Sequence, residues 1–187
     1  NFTCGEGGAL LINDPQYLER AEIMREKGTN RSRFFRGEVD RYTWVDLGSS
    51  YLPSDMLAAF LFAQLQAREM VQSKRKHLWE TYLAQLAGWA RSQGVALPVV
   101  PADCAPSYHL FFMVLPTAEA RVRFIDYLKG RGIHAVFHYL SLHFGGREGD
   151  CPVTESISER MVRLPFFTNM TSAEQEEVIS AVLDFQV

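Results

Sequence analysis

The sequence predicts a mixed α/β chain, with a strand–helix unit at its start and a small α+β lobe at its end. Three observations support this fold class. Residues 1–28 read as a turn, a short strand and a helix. Residues 55–93 contain a long run with apolar positions at helical spacing. Residues 108–187 alternate between strand-like aromatic segments and helices with clear N-terminal caps.

The first unit is predicted from the residues that mark where its strand and helix begin and end. Four residues at 5–8, three of them glycine, precede an apolar run of strand length at 9–12. Asp14 can cap a helix, and Pro15 at the first helical position has its φ angle already set. We expect this helix to continue to about Lys27 and to end at Gly28.

The next segment, residues 29–47, mixes arginines with aromatic residues and shows no helical pattern. We predict an extended arm or hairpin around Gly37, followed by a tight turn at 48–53. Ser54 or Asp55 should then cap a long helix that reaches about Gln93, with a break near 71–73.

The C-terminal lobe should contain three strands and three helices. Aromatic and apolar content predicts strands at 108–115, 133–138 and 161–165. Thr117 should cap a helix that ends near Gly130, and Thr154 should begin a short one. Thr171 with Glu174 forms a capping-box pattern at the start of the last helix.

Composition excludes several classes of function. The 187 residues are 47% hydrophobic, which allows one sizeable core, or one core plus part of another. A net charge of -3 gives no electrostatic reason to expect nucleic-acid binding. There is neither a signal-peptide pattern at the start nor an apolar run that could cross a bilayer. Cys4, Cys104 and Cys151 are scattered, which argues against a zinc site or disulfides and favours a cytoplasmic location.

Four segments, in order along nearly the whole chain, resemble the DegT/DnrJ/EryC1/StrS aminotransferase family. Residues 1–8 are similar to the stretch that follows the family's catalytic lysine. Residues 48–55, with Ala58 and Ala59, resemble its second signature at the head of the long helix. Residues 137–143 resemble the substrate-facing segment, and residues 164–167 with the last helix resemble the family's C-terminus.

The resemblance implies the C-terminal half of a fold-type-I enzyme that uses pyridoxal 5'-phosphate (PLP). Residues 1–50 would be the remnant of its large PLP-binding α/β domain, with an arginine- and aromatic-rich arm. Residues 51–187 would be the long helix and the small α+β domain. The family implies a homodimer with shared active sites, which transfers an amino group from L-glutamate to a 4-keto-6-deoxy sugar nucleotide.

Transamination needs a lysine that forms a Schiff base with PLP and then moves the proton. The resemblance places this lysine immediately before Asn1. The lysines of this chain, at 27, 74, 76 and 129, lie outside the motif. We therefore expect no catalytic residue within the chain, and no transaminase activity from the chain alone.

Two residues are predicted to lie at the cofactor. Asn1 follows the expected lysine, and Ser50 stands where most of the family carries an asparagine that reaches the PLP phosphate of the neighbouring subunit. A hydroxyl in a turn before a helix can also donate to phosphate. The alternative is that Ser49 and Ser50 are ordinary turn residues. Leu52 departs from the family's usual basic residue, so a phosphate contact from that position is lost.

The arm and one later segment are predicted to bind the substrate. Arginine side chains suit a diphosphate, and aromatic rings suit a base or a sugar. The alternative for the arm is a solvated loop with its aromatics at a dimer interface. Histidines can bind sugar hydroxyls or move protons, although each is also consistent with an ordinary polar residue. The candidates are Arg31, Arg33, Arg36, Arg41, His138, Tyr139 and His143.

His138 and His143 have no third ligand at a suitable spacing, so we predict no metal site. We interpret His77 and His109 as structural. Two other functions stay open at this point. One is a non-catalytic interaction module that pairs its helix with a partner. The other is a sibling transaminase that acts on a different keto sugar.

Overall fold

The computed structural model describes residues 1–139, 141 and 149–187. It divides the chain into two compact units, residues 2–67 and residues 68–187, and Asn1 belongs to the second. The sequence-based boundary after residue 50 lies earlier, because the first part of the long helical region belongs to the N-terminal unit. None of the helices in the described residues is long and apolar enough to span a membrane.

The N-terminal unit contains three helices, α1 (Leu18–Arg25), α2 (Arg31–Phe35) and α3 (Asp55–Gln66). A 3-10 turn with Pro15 at its start precedes α1, and the Asp14 carboxylate accepts from the Gln16 backbone N–H. Gly28 adopts a left-handed φ of 75° after α1 and donates to the Ile23 carbonyl over 2.8 Å. The predicted start and stop signals of this helix are thus confirmed.

The predicted strand at 9–12 is wrong. These residues belong to no strand, and the side chains of Leu10 and Leu11 are 78% and 83% exposed. A strand needs a neighbour to pair its N–H and C=O groups. No described residue pairs with this run, so its apolar character alone does not produce a strand here.

The prediction that the arm is not helical is also wrong, since α2 lies inside it. Sequence periodicity missed this helix because side chains satisfy its first turn. The Glu26 carboxylate accepts from both the backbone N–H and the hydroxyl of Ser32, at 3.1 and 2.8 Å. The predicted turn at Gly37 is present, with φ of 73°, and an antiparallel bridge from Thr29 to Trp44 closes the arm.

The base of the arm depends on two glycines that meet. A Cβ atom at Gly48 would lie 2.1 Å from the Gly28 nitrogen, and one at Gly28 would lie 2.0 Å from the Asp46 carbonyl oxygen. Either side chain would force the two backbone segments apart. The contact lets Ser49 pair with the end of α1, donating to the Met24 carbonyl over 3.0 Å.

The long helical region is interrupted, as predicted, but at a different place. The Ser54 hydroxyl accepts from the Leu57 N–H and caps α3. Helix α3 ends at Gln66, and α4 (Arg68–Gln93) follows after Ala67. The break was expected at 71–73. Neither proline nor glycine marks Ala67, so the local sequence carries no signal for its position.

In the C-terminal unit, β1 (Phe112–Val114) pairs antiparallel with β2 (Met161–Arg163), and Met113 lies opposite Val162. Around them lie α5 (Ala118–Gly130), α6 (Pro152–Arg160) and α7 (Ser172–Asp184). The Thr117 cap and the Thr171–Glu174 capping box are confirmed. The short helix was predicted to begin at Thr154 and begins two residues earlier.

The predicted strands of this unit are shortened. The strand expected at 133–138 is wrong as a strand, because it is reduced to a single bridge between Val136 and Arg163. The strands expected at 108–115 and 161–165 retain three residues each. Consequently the lobe is held together by helix packing around a two-stranded ribbon, and not by a three-stranded sheet.

A single core fills this unit and centres on one face of α4. Leu78, Tyr82, Leu86 and Trp89 recur at helical spacing, and all are buried. Their polar atoms are satisfied: Tyr82 donates to the Pro165 carbonyl at 3.0 Å, and Trp89 to the Phe185 carbonyl at 2.9 Å. The buried aromatics therefore fix the position of α4 as well as fill space.

By contrast, almost no side chains are buried within residues 2–67. Within this range only Gly28, Thr29 and Asn30 are buried, and none is a large apolar residue. Phe60 and Phe62 of α3 are about 60% exposed, at 58% and 62%. This unit is shaped by hydrogen bonds and glycine contacts, and its apolar side chains have no core of their own to enter.

We predict that Phe124→Ala lowers the free energy of unfolding of the C-terminal unit by about 3–5 kcal/mol. Phe124 is completely buried and packs edge-on against Phe185, with ring centroids 5.0 Å apart. Val122→Ala on the same helix is the control, because Val122 is 50% exposed. Urea unfolding followed by tryptophan fluorescence measures both. Equal losses for the two variants would contradict this placement of the core.

Candidate functional site

The arm is fixed at its base by one buried side chain, Asn30. Its amide donates to the Arg41 carbonyl over 3.0 Å and accepts from the Thr43 N–H at 2.8 Å. Its backbone N–H donates to the Thr43 carbonyl at 3.1 Å. The two ends of the arm are therefore joined by three hydrogen bonds from a single residue.

Two of the predicted arginines are engaged by carboxylates. Arg33 lies 2.7 Å from Glu19 and 3.4 Å from Glu38. Arg36 lies 2.7 Å from Glu38 and 3.1 Å from Glu22. These hydrogen bonds raise the pKa of Arg36 and lower the pKa of Glu38. The pairs are exposed and contribute modestly to stability, but they orient both guanidinium groups toward α1 and the turn.

The other two predicted arginines differ from this pair. Within the part of the chain that the structure describes, neither Arg31 nor Arg41 forms an ion pair with a carboxylate. Arg31 lies over the ring of Phe35, with its guanidinium carbon 5.3 Å from the centroid. The arm thus carries two guanidinium groups that no described carboxylate neutralises, and its Tyr42 and Trp44 side chains are exposed.

Ser50 lies in the same unit, in the turn before α3. Its backbone forms an isolated bridge with Glu26, and the residue is exposed. Among the described residues its hydroxyl has no hydrogen-bond partner. A free hydroxyl in a turn ahead of a twelve-residue helix fits an anionic oxygen such as that of PLP phosphate. Leu52 is half-exposed and apolar, and so adds no charge.

In the C-terminal unit, the side chain of Asn1 has a complete set of partners. Its Nδ2 donates to Gln72 Oε1 at 2.7 Å and to the Ser107 carbonyl at 2.5 Å. Its Oδ1 lies 3.2 Å from His109 Nδ1. Because Oδ1 can only accept, His109 is the donor in this pair. Burial, with nearby Arg75 among other charges, lowers the pKa of His109.

A buried arginine supports this group. Arg75 is 6% exposed and donates to the Tyr108 carbonyl at 2.8 Å, to the Thr168 hydroxyl at 3.2 Å and to the His109 carbonyl. Its guanidinium carbon lies 4.7 Å from the centroid of the Phe166 ring. Burial lowers the pKa of Arg75. Neutral oxygens and an aromatic face therefore replace water around a buried charge.

His138 and Tyr139 were predicted to face the substrate, and their rings stack with centroids 4.3 Å apart. His138 Nδ1 is buried and has no hydrogen-bond partner among the described residues, while Tyr139 is 69% exposed. Burial, and then the charge of Arg163, lowers the pKa of His138. His143 lies outside the described residues. The described residues also contain no group of three or more side chains suited to a metal.

The predicted site residues thus fall into two sets. The four arginines and Ser50 lie in the N-terminal unit, and Asn1, His138 and Tyr139 lie in the C-terminal unit. Sequence reasoning missed the partners of Asn1 and interpreted His109 as structural. No local pattern could reveal a contact across 108 positions. Of the ion pairs of Arg33 and Arg36, only those with Glu38 are local in sequence, since Glu19 and Glu22 each lie 14 positions from their arginine.

Comparison with known proteins identifies the family. The model of the DegT/DnrJ/EryC1/StrS aminotransferase family matches residues 1–183. The dTDP-3-amino-3,4,6-trideoxy-alpha-D-glucose transaminase of Streptomyces venezuelae is 29% identical over 194 residues, which cover 99% of this chain and 47% of that protein. The chain spans about half the length of the relatives it matches.

Solved structures give the same result for the fold. Streptomyces venezuelae DesV matches with a TM-score of 0.78 and 28% identity, covering 93% of this chain and 45% of DesV. The aminotransferase TlmJ of Streptoalloteichus hindustanus matches with a TM-score of 0.79 and 24% identity, covering 92% of this chain and 45% of TlmJ. The PLP form of the putative sugar aminotransferase Spr1654 of Streptococcus pneumoniae matches with a TM-score of 0.74 and 19% identity. The match covers 94% of this chain and 44% of Spr1654.

We predict that Asn30→Ala loosens the arm. Losing its amide leaves the Arg41 carbonyl and the Thr43 N–H unpaired, at a cost of about 1–2 kcal/mol. Trypsin cleavage at the arginines between 31 and 41 should accelerate about tenfold. Asp40→Ala, an exposed change in the same arm, is the control and should cleave at the original rate. Unchanged cleavage in Asn30→Ala would show that Asn30 does not hold the arm.

Proposed function

We propose that this chain, which belongs to the DegT/DnrJ/EryC1/StrS aminotransferase family, is the C-terminal half of a sugar-nucleotide aminotransferase. The observation that carries the proposal is the family match, which runs over residues 1–183. The predicted fold class, the C-terminal half of a fold-type-I PLP enzyme, is confirmed by solved structures of related aminotransferases. Their whole length is about twice that of this chain.

PLP is the cofactor of this family, as the sequence predicted. When bound, it supplies the electron sink that transamination requires. In this chain the exposed Ser50 hydroxyl is suited to donate to its phosphate. Asn1 would follow the Schiff-base lysine directly, so its anchoring fixes where the main chain leaves that position.

The substrate that we propose is a dTDP-4-keto-6-deoxy-hexose, with L-glutamate as the amino donor. Residues 25–32, 42–44 and 48–52 most resemble the dTDP-4-amino-4,6-dideoxygalactose transaminases of enterobacterial common antigen biosynthesis. The Streptomyces venezuelae relative, a transaminase named for a dTDP-amino sugar, supports this nucleotide class. We further propose a cytoplasmic homodimer with shared active sites, in which His138, Tyr139 and His143 bind the substrate.

Within the arm, the ion pairs suggest that two of the four arginines bind the substrate and two hold the structure of the arm. Arg31 and Arg41, whose charges no described carboxylate neutralises, are proposed to bind the diphosphate. Arg33 and Arg36 are proposed to hold the arm in shape through Glu19, Glu22 and Glu38. The exposed rings of Tyr42 and Trp44 offer flat apolar faces to the base or the sugar.

The full-length protein tests the function directly. Borohydride reduction in the presence of PLP, followed by peptide mapping, should label a lysine immediately before Asn1. Lys27, Lys74, Lys76 and Lys129 should stay unlabelled, and the chain alone should show no transamination. Specific labelling of one of these four lysines in an active protein would overturn the proposal and leave the interaction-module alternative in place.

The arm is tested by separating the two half-reactions. Arg31→Ala or Arg41→Ala should raise the KM for the sugar nucleotide by about ten- to a hundredfold, because a charge-assisted contact contributes roughly 1.5–3 kcal/mol. The half-reaction with L-glutamate should change little, since glutamate carries no diphosphate. Single-turnover measurements distinguish the two.

The matched controls are Arg33→Ala and Arg36→Ala, which remove a similar charge from the same arm. They should affect sugar-nucleotide binding less than the first pair does. If all four variants slow the glutamate half-reaction and spare the sugar one, the arm serves the cofactor or the dimer interface, and the assignment to substrate is wrong.

A further inference from the structure

The group around Asn1 has a feature that its surface location does not require. Both N–H bonds and the oxygen of the Asn1 amide are used, by Gln72, the Ser107 carbonyl and His109. Solvent could satisfy an amide at such a partly exposed position without three protein partners. Their convergence on one side chain indicates that the position of Asn1 itself is being fixed.

The partners of Asn1 are in turn built on a shaped backbone. Tyr108 has a φ of 50°, a left-handed conformation that residues other than glycine rarely adopt. Arg75 donates to the carbonyls of Tyr108 and His109 and so holds this turn from the core side. The turn aims the Ser107 carbonyl and the His109 ring at Asn1. Gln72, one helical turn before Arg75, approaches from α4.

Asn1 and its three partners belong to the same compact unit. Asn1 groups with residues 68–187, whereas Phe2 and the residues up to Ala67 form the other unit. The three contacts of Asn1 therefore all lie within the unit that contains α4. The side chain of Asn1 is thereby held at one point on this unit.

We propose that Gln72, Ser107 and His109 form a positioning clamp on Asn1, shaped by Arg75, which orients the residue immediately before it. This inference rests on the proposed function, which places the Schiff-base lysine at that preceding position. His109 is thus a positioning residue for the cofactor-binding lysine: its Nδ1–H donates to Asn1 Oδ1 and acts through Asn1.

The experiment uses the full-length protein loaded with PLP, in three variants. His109→Ala removes the donor to Asn1. His109→Asn restores it, because the asparagine Nδ2 can take the place of the imidazole Nδ1–H. His77→Ala is the control, since His77 is an exposed histidine of α4 with no contact to Asn1. The readouts are the pH midpoint of the visible absorption of bound PLP, and the rate at which PLP is lost.

In His109→Ala we expect PLP to be lost about three- to tenfold faster, as for the loss of one neutral hydrogen bond. The pH midpoint should move by about half a unit to one unit. His109→Asn should return both values toward wild type, and His77→Ala should leave both unchanged. Asn1→Ala, which removes the clamped side chain and leaves the lobe intact, should reproduce His109→Ala.

A clamp that serves only folding would lower the melting temperature of His109→Ala and leave the pH midpoint and the rate of PLP loss as in His77→Ala. That result, or a failure of His109→Asn to recover, overturns the inference while the proposed function stands. If the wild-type protein binds no PLP, or if borohydride labels no lysine before Asn1, the proposed function and the clamp fall together.

Discussion

The structure of the C-terminal unit depends on one face of α4. Leu78, Tyr82, Leu86 and Trp89 bury this face, and α7 packs against it. Arg75 continues the same stripe one turn earlier, where the core gives way to the 107–109 turn. A buried guanidinium is costly without partners, and here two backbone carbonyls and the Thr168 hydroxyl accept its N–H groups. The helix that organises the core therefore also shapes the surface that holds Asn1.

The N-terminal unit follows a different rule. With no apolar residue buried, its form comes from Gly28 against Gly48 and from the hydrogen bonds of Asn30. Such contacts define geometry well but contribute little net free energy, because water competes for every polar group. Large apolar side chains on α3, such as Phe60 and Phe62, are exposed. An arm built in this way is specific in shape, and its carboxylates pair with Arg33 and Arg36 but, among the described residues, not with Arg31 or Arg41.

How much could be predicted from the sequence follows from the range of each interaction. Helix starts at Asp14, Thr117 and Thr171 depend on neighbours within four residues, and all three were predicted correctly. The strands at 9–12 and 133–138 depend on pairing with distant segments, and both predictions were wrong. The family and its cofactor were predicted because short segments of the chain, such as residues 1–8 and 48–55, resemble the family's motifs without reference to the fold.

The candidate site shows the same limit at the level of side chains. Arginine and histidine types suggested a ligand, but type alone could not separate Arg33 and Arg36, which are paired, from Arg31 and Arg41, which are not. His109 shows the opposite case, since a residue without any motif becomes the donor to Asn1 once α4 and the 107–109 turn are in place. Arg75 holds the 107–109 turn, and the turn places His109 against Asn1. Because these residues are far apart in sequence, only the folded structure reveals the contact.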